Sequence, residues 1–213
     1  MNKKAVIFDM DGVISDTQTI HSRIWSEVMA GYGVQIEPAE ITLRYAGAKS
    51  REIFTDILTQ YGLEKHLEEA LREKDRLYAL RAGDGVMPVE GAPELIRRLA
   101  RDGRDLAVAS GGGRENVEWV LETLKLRQYF PVVVTASDVE HGKPSSDLFL
   151  LAAKLLGRAP AECIVIEDSR NGMLAARLAR MYCIGLVADP EDHTTYPADR
   201  LVESLTGLKT EDF

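Results

Sequence analysis

Cysteine is scarce: Cys163 and Cys183 are the only two in 213 residues. No disulfide framework beyond one bridge is possible, and no Cys-x-x-Cys pair exists for redox or metal chemistry. Both stand in apolar runs, Cys-Ile-Val-Ile and Cys-Ile-Gly-Leu, and read as small buried side chains in a reducing compartment. Positive charge is also short. The 26 Lys and Arg against 34 Asp and Glu give a formal charge of −8. A surplus of that sign excludes long-range attraction to a phosphate backbone and leaves no basic stripe for an anionic membrane surface. Neither nucleic acid nor membrane is expected as a partner, and an anionic substrate must be held by local positive groups. Long apolar runs are missing too. The opening Met-Asn-Lys-Lys-Ala-Val-Ile-Phe meets Asp9 at once, too soon for a signal peptide or a membrane span. That argues for the cytoplasm. The chain shows no internal repeat, and nothing in it demands more than a monomer.

What is present is an ordinary globular composition, 45% apolar and 28% charged, long enough to bury a substantial core. Short apolar runs at 5–8, 106–109, 132–134, 163–166 and 184–187 read as buried strands. Apolar residues on consecutive positions suit a parallel sheet covered on both faces. Helical patterns lie between them at 93–101, 115–125, 146–156 and 171–180. The alternation predicts an α/β fold with a doubly wound parallel sheet. One stretch breaks it. Ile20, Ile24 and Val28, then Ile53, Ile57 and Tyr61, then Leu67, Leu71, Lys74 and Tyr78 recur at helical spacing. Residues 17–83 are therefore expected to form an all-helical cap, inserted into a core of residues 1–16 and 84–213. Asp11-Gly12 and Gly83-Asp84-Gly85, with Pro88, mark the joins as hinges. Trp25, Tyr45, Phe54 and Tyr61 read as core of the helical bundle. A short strand and helix are expected near 201–208.

Ligands of open α/β sheets bind beyond the carboxyl ends of the strands, so the residues after each strand form a map. After the first come Asp9-Met10-Asp11-Gly12. Two carboxylates so close are costly unless a cation or a shared proton relieves them; one can attack an electrophile while the other carries a proton. After the second come Ser110-Gly111-Gly112-Gly113-Arg114, small residues whose amides can approach an anion at a helix start. Gly142-Lys143-Pro144 offers a lysine that can neutralise developing negative charge. After the fourth come Glu167-Asp168-Ser169, suited to a hard cation such as Mg²⁺. Each segment alone also reads as a turn or a helix cap. Acid pairs at two strand ends and a lysine at a third do not follow from capping.

In these residues the sequence resembles the haloacid dehalogenase superfamily, in the subgroup with a helical cap after the first strand, which includes β-phosphoglucomutase and small phosphatases. The resemblance covers essentially the whole chain. Val6-Ile7-Phe8-Asp9-Met10-Asp11-Gly12-Val13 is similar to its first motif. Ser110 stands at the second, Lys143 in Gly-Lys-Pro-Ser-Ser-Asp at the third, and Glu167-Asp168-Ser169-Arg170-Asn171-Gly172 at the fourth. The resemblance implies Asp9 as the nucleophile forming an aspartyl-phosphate, and Asp11 as the acid that protonates the leaving oxygen and later activates water. It implies that Met10 and Asp11 amides, Ser110, Gly111 and Lys143 hold the phosphoryl group. It implies Mg²⁺ on Asp9, the Asp11 carbonyl and Asp168, with Glu167 in or behind that ligand set. Asp11 favours phosphate-ester chemistry, because the dehalogenases keep no acid there.

The cap chooses the substrate in such enzymes. Thr17 and His21 match the mutase pattern after the first motif. The mutase's Lys-Gly-Val-Ser-Arg segment is replaced by Ala46-Gly47-Ala48-Lys49-Ser50 with Arg51 one place late, and Gly112, Gly113 and Arg114 replace its polar loop. A mutase retains a bisphosphate and needs a second anion site, so these replacements count against mutase activity, although Lys49, Arg51 and Arg114 could rebuild it. The expectation is hydrolysis of a small phosphorylated metabolite, a sugar phosphate or phosphoglycolate-like monoester. The alternatives are a phosphomutase, and a catalytically silent module on the same fold.

Overall fold

The structure, a computed structural model, describes residues 4–45, 48–82, 86–188 and 190–213. Gly83, Asp84 and Gly85, read as a hinge, and Ala46 and Gly47 of the cap segment lie outside the described residues.

Six strands form one sheet: β1 (Ala5–Phe8), β2 (Asp105–Ala109), β3 (Val132–Val134), β4 (Cys163–Glu167), β5 (Tyr182–Leu186) and β6 (Arg200–Val202). Their order is β3-β2-β1-β4-β5-β6, and every pairing is parallel. All residues of β1 and β4 are buried, as near-continuous apolar strands require when helices cover both faces. Alternation divides them. Val6, Phe8, Leu106, Val108, Ile164 and Ile166 pack with α5 (Ala92–Arg101) and α6 (Arg114–Thr123). Ala5, Ile7, Ala107, Cys163 and Val165 pack with α7 (Asp147–Leu155) and α8 (Arg170–Leu178). The helix α5 shows why such segments are helical. Pro93 sits in its first turn, where a missing N–H costs nothing, and Leu95, Ile96 and Leu99 form one buried stripe. Each such side chain contributes about 1.5–3 kcal/mol on burial. Both cysteines are buried, and neither forms a disulfide among the described residues.

Between β1 and α5 stand four helices: α1 (Gln18–Gly31), α2 (Pro38–Tyr45), α3 (Ser50–Gln60) and α4 (Leu67–Ala82). They share a separate apolar cluster built on Ile24, Val28, Ile41, Ile53, Phe54, Ile57 and Tyr78. Tyr61, expected in it, is 53% exposed, because it follows the end of α3 and no helix face carries it inward. The chain enters and leaves this insert side by side: Asp16 N donates to Met87 O at 2.9 Å and Val89 N to Ile14 O at 3.0 Å. Of the short strand and helix expected near 201–208, the strand is present as β6, and no helix follows it within that stretch. Leu205 and Leu208 instead anchor irregular chain to the first cluster. Among the described residues no helix is long and apolar enough to cross a membrane.

Candidate active site

The strand order reverses between β1 and β4, since β2 and β3 extend one way and β5 and β6 the other. A crevice opens beyond the carboxyl ends at such a point. Phe8 pairs with Ile166, so Asp9 stands level with Glu167. Alternation then aims both at the face of Ile7 and Val165, the side of α7. Lys143 arrives from that side, in the loop before α7. Its Nζ donates to Asp9 Oδ1 and, at 2.7 Å, to Glu167 Oε1. The lysine is fully buried.

Glu167, expected in or behind the metal ligand set, has both oxygens engaged by protein groups. Oε1 accepts from Lys143, and Oε2 accepts from Ser169 N at 2.6 Å and Ser169 Oγ at 2.9 Å. A Cβ on Gly172 would stand 1.7 Å from Oε1, so the carboxylate rests against bare helix backbone. Through Oε1 it holds the Lys143 ammonium. Asp168 differs. It accepts no hydrogen bond from the described residues, and Gly12, at φ +87°, approaches so closely that a Cβ there would lie 1.9 Å from Oδ2. Both the backbone angle and the space demand glycine.

Oxygens of Asp9, Glu167 and Asp168 lie within 4.8 Å of one another. Burial, with the charges of Glu167 and Asp11, pushes the Asp9 carboxyl up to about 7 against the pull of Lys143. Burial and the neighbouring Glu167 and Asp9 hold Asp168 well above the usual carboxylate range. Burial also works against charge on Lys143, but Asp9 and Glu167 overcome it and hold the ammonium charged. One ammonium among three carboxylates leaves an acidic surplus, and oxygen donors in that surplus fit a hard divalent cation.

Asp11 faces the helical insert. Thr17 Oγ1 donates to its Oδ1, and His21 Nε2 lies 3.2 Å from the same oxygen. Ser15 Oγ lies 2.9 Å from Thr17 Oγ1. The His21 ring stacks on Tyr78 at 4.6 Å and 9°, with Trp25 at 5.7 Å on α1. Burial alone would raise the Asp11 carboxyl; His21 and Thr17 outweigh it and hold the pKa down. Two carboxylates two residues apart thus sit in opposite environments, the arrangement that separates acid–base roles.

A chamber lies over this floor. Asp9, Asp11, Gly111, Gly112, Gly113 and Asn116 line it from the sheet, and His21, Trp25, Thr42, Ala48, Ser50 and Lys74 from the insert. Ser110, fully buried at the end of β2, accepts from Gly112 N at 3.0 Å and shapes the glycine loop. Met10 is buried at the turn, its carbonyl accepting from Ile14 N at 2.9 Å and Ser15 N at 3.0 Å. The sequence reading missed Lys74, Trp25 and Asn116 as lining. Lys74 is only 6% exposed, and a lysine at an apolar register position of α4 was the available signal.

Three cations expected near the substrate have other partners. Arg51 pairs with Glu68 on the outside of the insert, at 2.5 and 3.2 Å. Arg114 bonds Asp138 at 2.5 Å and the Val133 carbonyl at 3.2 Å. Lys49 Nζ donates to the carbonyls of Val139 and Glu140.

Residues 3–180 match the haloacid dehalogenase-like hydrolase family. The chain belongs to that family. It is 36% identical over 178 residues to the fructose-1-phosphate phosphatase YqaB of Escherichia coli, covering 83% of this chain and 92% of that protein. It is 33% identical over 208 residues to the bifunctional riboflavin kinase/FMN phosphatase of Arabidopsis thaliana, covering 97% of this chain. The chain spans 54% of that longer relative. Among solved structures, β-phosphoglucomutase from Clostridium difficile superposes with a TM-score of 0.88 at 25% identity, covering 99% of this chain and 95% of that one. These haloacid dehalogenase-like relatives include both phosphatases and a mutase, so the site's own residues must separate the two.

Proposed function

We propose that this hydrolase cleaves a small phosphate monoester, a sugar phosphate or a similar phosphorylated metabolite, through a covalent phosphoryl group on Asp9. The observation that carries the reading is the division between Asp9 and Asp11. Asp9 lies at the switch point against Lys143, with the buried ammonium beside the oxygen that would carry phosphate. Asp11 is turned to Thr17 and His21, on the side from which a leaving group beneath the insert would depart.

In this reading an Asp9 oxygen attacks phosphorus and the ester oxygen leaves, taking its proton from Asp11. An incoming dianion beside Asp11 works against the pull of His21 and Thr17 and favours its protonated form. Asp11 then takes a proton from the water that attacks phosphorus, releasing inorganic phosphate and free Asp9. Lys143 stabilises charge on the phosphoryl oxygens in both steps, with Ser110 and the Gly111 amide on the opposite side. Asp9, Asp168 and the Asp11 carbonyl would hold Mg²⁺, which when bound screens the phosphoryl charge. Glu167 keeps Lys143 in place.

Hydrolysis rather than isomerisation is supported by the fate of the three cations. Arg51, Arg114 and Lys49 are all engaged by protein groups, and Lys74, the lysine that lines the chamber, is paired with Asp75, so none of the four is left unpaired to retain a bisphosphate by its second phosphate. The test is phosphate release from a panel of phosphorylated metabolites with Mg²⁺, beside conversion of β-glucose 1-phosphate to glucose 6-phosphate. Release abolished by Asp9→Asn is the expected result. Isomerisation with little free phosphate would overturn the hydrolase reading.

A further inference from the structure

The insert does more than cover the strand ends. Residues 139–142 lead directly into Lys143, and the start of α3 grips them from the insert side. Lys49 Nζ donates to Val139 O at 2.5 Å and to Glu140 O at 2.8 Å. The Glu52 carboxylate spans the gap: Oε1 accepts from Gly142 N at 2.9 Å, and Oε2 accepts from Lys49 N at 3.3 Å. One carboxylate thus ties an amide of the insert to an amide of the core, 90 positions away in sequence. The approach depends on Gly142. A Cβ there would stand 2.6 Å from Lys49 Cγ, 2.9 Å from Glu52 Oε2 and 3.2 Å from Lys49 N.

The grip falls on the residue before the lysine that touches Asp9. Lys143 is fully buried and bonded at its tip to both Asp9 and Glu167, so its backbone and its ammonium form a short, stiff link. We propose that Lys49 and Glu52 are positioning residues that latch the insert onto 139–142 and thereby set the Lys143 ammonium against Asp9. Closure of the insert and completion of the phosphoryl-binding site are then one event. The inference rests on the reading of Asp9 and Lys143 given above.

The latch separates from simple substrate binding by kinetics on two phosphoryl donors, acetyl phosphate and a sugar phosphate. Acetyl phosphate is too small to need the walls of the insert but still needs Lys143. In Glu52→Ala, kcat is expected to fall about 10–100-fold on both donors, the scale of a reacting group displaced by an ångström, with KM nearly unchanged. Gly142→Ala removes no polar group yet pushes the same contact apart, and should reproduce the loss. The double variant should be no worse than either single one. Glu52→Gln keeps one acceptor oxygen and should recover part of kcat. Lys49 and Glu52 are not core residues, so melting temperatures should stay close to wild type. Should Glu52→Ala fail to fold, Gly142→Ala and Glu52→Gln give the same readings.

A rise in KM alone, unchanged turnover of acetyl phosphate, or losses that multiply in the double variant would each overturn the proposal. If the wild-type protein turns over neither donor, the phosphatase reading fails. The latch is then judged by small-angle scattering of the ligand-free protein. A larger radius of gyration for Glu52→Ala than for wild type supports it, and equal radii overturn it.

Discussion

Gly172 carries no side chain, and the Glu167 carboxylate uses the space. That single contact links a helix to Lys143 and so to Asp9. Gly172→Ala would place a methyl group 1.7 Å from Glu167 Oε1, with helix backbone on one side and a buried ion pair on the other. Overpacking of a tight site costs about 1–3 kcal/mol. Here it also shifts an anchor of the lysine. The expected outcome is a lower urea midpoint with unchanged m, and a fall in kcat larger than the change in KM. Wild-type kinetics in this variant would show that Glu167 is not needed to hold Lys143. The residue types of this site were legible from the sequence: acids at the ends of β1 and β4, a serine after β2, a lysine before α7. Their division of labour was not. Glu167 and Asp168 are adjacent in sequence, and only the alternation at the end of β4 turns one toward Lys143 and leaves the other against Gly12.

The elements were legible where one rule decided them. Apolar runs gave β1 through β5 within one or two residues, and 3.6-residue periodicity gave three of the insert's four α-helices; α2, with Ile41 as its one buried residue, carries too short an apolar repeat to show. The failures came where apolar spacing had two meanings. In the stretch 201–208, where a short helix is expected, Leu205 and Leu208 are instead anchors of an irregular segment. Lys74 stands in an apolar register that reads as bundle core, yet it lines the chamber. The start of α6 shows why charged residues misled. Arg114 opens that helix next to the glycine loop and looked free for a substrate anion. Its partner Asp138 lies beyond β3, out of reach of any local rule. Arg114→Ala is therefore expected to leave KM unchanged.

The same contact predicts a pH effect. Burial of Asp138 would raise its pKa, but the Thr135 amide and hydroxyl and Arg114 hold it below the usual carboxylate range. A lowered folded-state pKa stabilises above the unfolded value, near 3.8, and that stabilisation is lost as pH falls through the folded value. Melting temperatures of wild type and Asp138→Asn should differ by a constant amount above about pH 5 and converge in more acidic solution. A gap that widens on acidification would contradict the assignment.

At the scale of the molecule, the separately packed insert faces the sheet's carboxyl ends across an acidic floor, and the charge of that floor bears on stability as well as chemistry. Asp9, Glu167 and Asp168 are gathered within 4.8 Å with Lys143 as the cation bonded among them. Without a metal the folded state carries that repulsion, and the unfolded chain does not. A cation bound only by the folded form stabilises it by mass action, about 2.7 kcal/mol at a hundredfold excess over Kd. For a chain of this length that corresponds to a rise of about 5–10 °C in melting temperature. Mg²⁺ titrated into chelator-treated protein should give such a rise, growing with the logarithm of concentration. Asp168→Asn supplies the decisive comparison. It removes a charge that no described hydrogen bond satisfies while keeping the shape. The metal-free variant should therefore melt above metal-free wild type, yet gain little from Mg²⁺. If the variant instead melts lower and responds to Mg²⁺ like wild type, Asp168 is a structural residue and the cation is held elsewhere. The same titration can be run on Glu167→Gln. If Glu167 serves to hold Lys143, this variant loses stability in metal-free solution but keeps its response to Mg²⁺, because the carboxylates that answer to the ion are then those of Asp9 and Asp168.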